Sequence, residues 1–164
     1  DAILLSSDKI KFHVSKVVLS IASPFFQDMF GLPQAPDSDP EGSVIPVTEN
    51  SSILNALLRI CYPIPDPTVS QPMDLYQLVI TADKYHLPAV TNWARERLLA
   101  VARDQPLAAY AAACCLGWNP EAKLSAKEAL KFTVAELEAF SEGSGLELVS
   151  CECIRRLLAY HRAC

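Results

Sequence analysis

The chain has 164 residues, of which 51% are hydrophobic and 20% charged, with a net charge of -5. That balance suits one compact domain, or a small domain with a helical extension, and excludes global disorder. A basic footprint for a phosphate backbone is missing, so nucleic acid is not expected as a partner. No apolar run reaches the roughly 18 residues of a membrane span, so no membrane partner is expected either. The chain opens at Asp1 instead of Met, which suggests a piece of a longer protein. It shows no signal peptide, and an intracellular setting, cytoplasm or nucleus, is expected.

"DAILL" and the alternating "KIKFHV" flank a polar "SSDK" and predict a β-hairpin, with Ile10, Phe12 and Val14 on one face. From Ser15 the period changes. Val14, Val17, Val18 and Ile21 recur at helical spacing, and Ser15 is placed to cap the helix with its hydroxyl. Ser23-Pro24 then opens a second helix as N-cap and first residue, with Phe26, Met29 and Phe30 inward and Gln27 and Asp28 outward. Gly31 and Pro33 end it, and residues 31–43 form a polar loop expected to be mobile. "VIPV" is a short strand whose Pro46 confines it to an edge or an early end.

Downstream the pattern is helical. Ile53, Leu57 and Ile60 mark one stripe, ended before Pro63, and "PIPDPTVSQP" is a connector without an element of its own. Leu75, Leu78, Val79 and Ala82 mark the next helix, and Val90, Trp93, Ala94, Arg97 and Leu98 the one after. "LAAYAAACCLGW" is an Ala-rich helix closed by Gly117. Asn119 and Pro120 read as N-cap and first residue of another, Thr133 to Glu136 as a capping box, and "SEGSG" as a flexible break. The last helix carries Ile154, Leu157, Leu158 and His161 on one stripe. Three short strands precede residue 48, and seven or eight helices make up the rest. Strands and helices are segregated, so the class is α+β.

No catalytic or metal constellation emerges. The six cysteines, at 61, 114, 115, 151, 153 and 164, lack zinc-site spacing and read as buried thiols in a reducing compartment. Ser6 to Lys9 matches Ser-x-x-Lys, but in a hairpin turn and without companion motifs; a solvated turn is expected. His13 should face outward on its strand, and His86 should meet the last carbonyls of a helix through its ring. No Gly-rich phosphate loop is present, and no cofactor or metal is expected.

"DAILL…KIKFHVSKVVLSIASPFFQDMF" resembles the opening pattern of the BTB/POZ family through Asp1, Phe12, Lys16, Val18-Leu19, Ser23, Phe25-Phe26 and Met29-Phe30. "VIPVTENSSILNALLRICYP" and "LVITADKYHLPAVTNWARERL" are similar to its third strand and later helices. "ICYPIPDP" and the closing "RRLLAYHR" resemble fungal members in which a helical extension follows the domain. The resemblance implies a BTB/POZ-like domain over residues 1–102, with a small three-stranded sheet flanked by helices, and an all-helical extension over residues 103–164. Ser15 stands where the family has a His that packs and hydrogen-bonds. Dimeric members carry a helix ahead of the first strand; none precedes Asp1 here, so homodimerisation stays open.

The resemblance implies a non-enzymatic protein–protein interaction module, an adaptor or oligomerisation domain that meets other proteins, itself included. Asp1 and Lys16 occupy the places of a charged pair near the family's dimer groove, which reads equally as a structural ion pair. Phe25 lies between the two faces of its helix. Many cullin adaptors carry a hydrophobic-x-Glu motif in the loop before the third strand. Asp39-Pro40-Glu41 begins with a charge instead, which weakens the alternative of a cullin ubiquitin-ligase adaptor and leaves Asp39 and Glu41 as candidates. The alternative from another class is an enzyme using Cys or His, for which no catalytic signature is present.

Overall fold

The computed structural model describes residues 1–32, 44–133, 136 and 145–163. The chain forms two compact units, one of residues 1–68 and 78–92, the other of residues 69–77 and 93–164.

The first unit begins with the expected hairpin. Strand β1 (Ala2–Leu5) pairs antiparallel with β2 (Lys11–Val14), Leu4 opposite Phe12. Strand β3 (Val44–Pro46) pairs parallel with β1, giving the order β2-β1-β3. The apolar β1 is therefore central, with Ala2, Ile3 and Leu4 buried, and Pro46 sits on an edge where its missing N–H is harmless. The hairpin turn is not simply solvated. Ser6 is buried; its hydroxyl donates to the Ile10 carbonyl (3.1 Å) and accepts from the Ile10 N–H (2.9 Å). Lys9 closes the turn at φ +67.

Helix α1 (Lys16–Ala22) is capped by the extended Ser15, but the Ser15 hydroxyl makes no capping bond. The Ser15 N–H instead donates to the Tyr62 hydroxyl at 2.7 Å. Helix α2 (Pro24–Gly31) starts as expected, with Ser23 accepting from the Phe26 N–H. Helix α3 (Ser51–Cys61) is capped twice: Asn50 accepts from the Ile53 N–H, and Asp8 in the hairpin turn takes the Ser51 N–H (2.8 Å) and hydroxyl (2.6 Å). Those bonds from the Ser51 and Ser6 side chains hold the Asp8 carboxyl down at about 2. The buried side of α3 centres on Leu54, Leu57 and Leu58, whereas Ile53 and Ile60, expected on the stripe, are half-buried. Residues 62–71 contain no helix or strand.

Helices α4 (Pro72–Lys84) and α5 (Pro88–Val101) follow, and the division between the units falls inside each. Leu75, Leu78, Val79 and Ala82, then Val90, Ala94 and Leu98, are buried at the expected spacing. His86 ends α4 at φ +52 and meets its carbonyls through the backbone N–H (3.2 Å to Asp83), not through the ring.

In the second unit, α6 (Pro106–Cys115) is buried from Pro106 through Ala113. Gly117 at φ +69 lets the Trp118 N–H return to the Ala113 carbonyl at 2.8 Å, a left-handed stop that a side chain would strain. Helix α7 (Asn119–Ala129) is capped at Trp118, one residue before the expected Asn119. Thr133 and Glu136 do form the capping box, the Thr133 N–H donating to Glu136 (2.7 Å) and the Glu136 N–H to Thr133 (3.3 Å). The helix it would open lies outside the described residues, as do the polar loop at 33–43 and residues 141–144 of the expected break. A 3-10 turn (Leu146–Leu148) leads to α8 (Cys151–Ala163). Leu157 and His161 of its stripe turn inward, the His161 ring meeting the Phe132 carbonyl at 3.0 Å, whereas Leu158 is exposed. Cys151 is also exposed, and Cys61, Cys114, Cys115 and Cys153 are half-buried free thiols, less enclosed than expected. No helix among the described residues is long and apolar enough to cross a membrane.

Candidate interaction surface

The first unit is organised by an aromatic column. Phe30 stacks on Phe26 (centroids 5.9 Å apart) and Phe26 on Tyr85 (5.2 Å). The Ser23-Pro24 break ends α1 and starts α2, whose Phe26 is buried. The Ser23 hydroxyl, fully buried, donates to the Tyr85 carbonyl at 2.5 Å and ties α2 to the end of α4.

Charge surrounds the column. The Tyr85 hydroxyl donates to Glu49 (2.6 Å), and Lys84 pairs with the other Glu49 oxygen (2.8 Å) while lying 4.8 Å from the Tyr85 ring. Burial pushes the Glu49 carboxyl up, but bonds from Lys84, Tyr85 and Thr48 outweigh it and hold the group below its ordinary range. Burial, and then the Glu49 carboxylate, push the Tyr85 phenol up, so it stays a donor.

The outer side of α1 carries the two most exposed large hydrophobic residues among the described residues of this unit. Five of its seven residues, KVVLSIA, are apolar. Leu19 is buried, and Val18 and Ala22 are half-buried beside it. Val17 and Ile21, expected inward, point the other way and are 68% and 83% exposed. They stand one turn apart, so they form one face. Phe25, 38% exposed, sets its edge against both Phe26 (5.5 Å) and Tyr85 (5.4 Å). It is therefore an outer wall of the column.

The other candidates divide. Asp1 is exposed ahead of β1, and Lys16 opens α1 with its ammonium 5.8 Å from the Phe30 ring. No ion pair joins Asp1 and Lys16 among the described residues. Asp39 and Glu41 lie outside the described residues. Val17, Ile21, Glu49, Tyr62 and Tyr85 were not candidates from sequence. A signal for the α1 face did exist: Ser15, Val18, Leu19 and Ala22 also fit a helical stripe. In a helix apolar nearly all round, periodicity does not choose between the two.

Comparison with known proteins adds the family. No curated protein matches the chain. The family model for the BTB/POZ domain matches residues 1–100, which carry the three-stranded mixed sheet, the aromatic column and the open face of α1. With most of its length so matched, the chain belongs to the BTB/POZ domain family, whose domain is a protein–protein interaction module.

Proposed function

We propose that the protein is a non-enzymatic interaction module that meets a partner through the outer face of α1, and that its first partner is a second copy of itself. The observation that carries this reading is the exposure of Val17 and Ile21 on one face of a helix whose opposite side is buried. Single exposed apolar residues are ordinary. Two β-branched ones at one-turn spacing, on a short helix held by a buried Leu19, form a surface that gains from being covered. Covering them yields roughly 1.5–3 kcal/mol for each side chain fully buried. Phe25 and Lys16, at the start of α2 and α1, supply an aromatic edge and a positive charge that select the partner, and Asp1 is a candidate for the opposite charge. Residues 103–164 serve as a helical extension to the interaction domain.

Light scattering of the full chain over a range of concentrations tests the reading. It predicts a concentration-dependent dimer that Val17→Lys/Ile21→Lys dissociates. A cullin-adaptor role would rest on the loop holding Asp39 and Glu41, and nothing in the described residues favours it. Binding of a cullin N-terminal domain to a variant that is monomeric by light scattering would revive it.

A further inference from the structure

The second unit contains a cleft that an interaction role for α1 does not use. It has a volume of about 400 Å³ and lies among α6, α7 and α8. Lining residues of α7 fall at 119, 122, 123, 126 and 127, and those of α8 at 153, 156, 157 and 160, one face of each helix. Ala122 and Ala126 are why the space exists: their small side chains, both buried, leave the volume that larger residues would fill. Leu157 and the Tyr110 ring complete an apolar wall, and the Tyr110 hydroxyl is already committed to the Cys153 carbonyl (2.8 Å).

The charged lining has a single sign. Lys123, Lys127 and Arg156 border the cleft and no carboxylate among the described residues does, in a chain whose acidic residues outnumber its basic ones, 19 to 14. Three acids on or beside α7 and α8 are engaged elsewhere. Glu121 pairs with Arg95 (3.2 Å), Glu128 with Lys131, and Glu152 with Arg155 (2.6 Å). Arg156 reaches Glu152 only at 4.0 Å, between exposed groups, which is a weak tie. Lys123 and Lys127 have no ion-pair partner among the described residues. Of the two thiols on the wall, Cys114 adds no negative charge, since burial pushes it up to about 11.

A gap left by imperfect packing would be apolar or charged at random. This one joins an apolar wall to three cations. Its volume lies near the low end of ligand pockets, roughly 300–1,000 Å³. A partner helix, about 10–12 Å across, needs a long groove instead. We propose that the cleft of α6, α7 and α8 binds a compact organic anion, a carboxylate or sulfonate on an aromatic or short aliphatic body. The body lies against Ala122, Ala126 and Leu157, and the anionic group meets Lys123, Lys127 and Arg156.

The test is a titration of the full chain with anilinonaphthalenesulfonate, with decanoate as competitor and uncharged phenylnaphthylamine as control. The expected result is one site per chain, displaced by decanoate and weakened by added salt. Lys123→Gln/Lys127→Gln should weaken the sulfonate by about tenfold or more and leave the uncharged probe nearly unchanged. Ala126→Leu should remove both probes by filling the space; if that variant does not fold, the surface lysine pair decides alone. Equal binding of charged and uncharged probes, indifference to the lysine changes, no saturable site, or binding of an acidic peptide but of neither small anion would each overturn the proposal.

Discussion

Helices α1 and α6 are both apolar nearly all round, yet they end in opposite states. α6, PLAAYAAACC, is covered on every side from Pro106 to Ala113. α1, KVVLSIA, buries Leu19 and leaves Val17 and Ile21 open. Apolar composition alone therefore does not set burial. The small side chains of α6 let neighbouring backbones approach closely, whereas the branched residues of α1 project from a two-turn helix that α2 and α3 cover on one side only. That uncovered face is the one proposed to meet a partner.

This contrast can be strained at several points. The largest effect is expected in the column that holds α2. Phe26→Ala should destabilise the protein by about 3–5 kcal/mol in urea unfolding, because Phe26 is buried between Phe30 and Tyr85. Ser23→Ala comes next, at roughly 1–3 kcal/mol by the same measurement: it removes a helix cap and orphans the buried Tyr85 carbonyl. A similar loss, about 1–3 kcal/mol, is expected when the closed helix is overfilled by Ala112→Leu. Ile21→Ala should change the stability of the monomer by no more than about 0.5 kcal/mol, since its side chain is already in water. Should Ile21→Ala cost the monomer as much as Ala112→Leu, the contrast between the two helices would collapse.

The smallest effect concerns pH. Asp8 is held at about 2 in the folded chain against an ordinary 3.8. A lowered folded value means that its contribution is complete above the ordinary value and fades as pH falls from about 4 towards about 2. Asp8→Asn should therefore flatten the acid limb of a pH–stability profile in that window and leave the neutral region with a constant offset. An unchanged acid limb would mean that the turn does not hold the start of α3.

Much of the fold was legible because long elements carry redundant signals. The Ser23-Pro24 start, the spacing of Leu75, Leu78, Val79 and Ala82, and the Gly117 stop each combine local chemistry with periodicity. What escaped is non-local. Ser6 looks like a turn residue, but it is buried because its hydroxyl satisfies both backbone groups of Ile10. Ser15 looks like a side-chain cap, but Tyr62, 47 residues later, decides what its N–H does. The sign of the α1 face was lost for the same reason: tertiary neighbours select one of two stripes. The cleft of the second unit was likewise invisible, because Lys123, Lys127 and Arg156 come together only when α7 and α8 pack.

The proposed dimer covers the outer face of α1 with a partner copy. Sedimentation equilibrium of the full chain beside Val17→Lys/Ile21→Lys tests it most directly. The account predicts a reversible dimer for the parent chain and a folded monomer, unchanged in circular dichroism, for the double variant. A parent chain that stays monomeric at every concentration, or a double variant that associates as strongly as the parent, would contradict it.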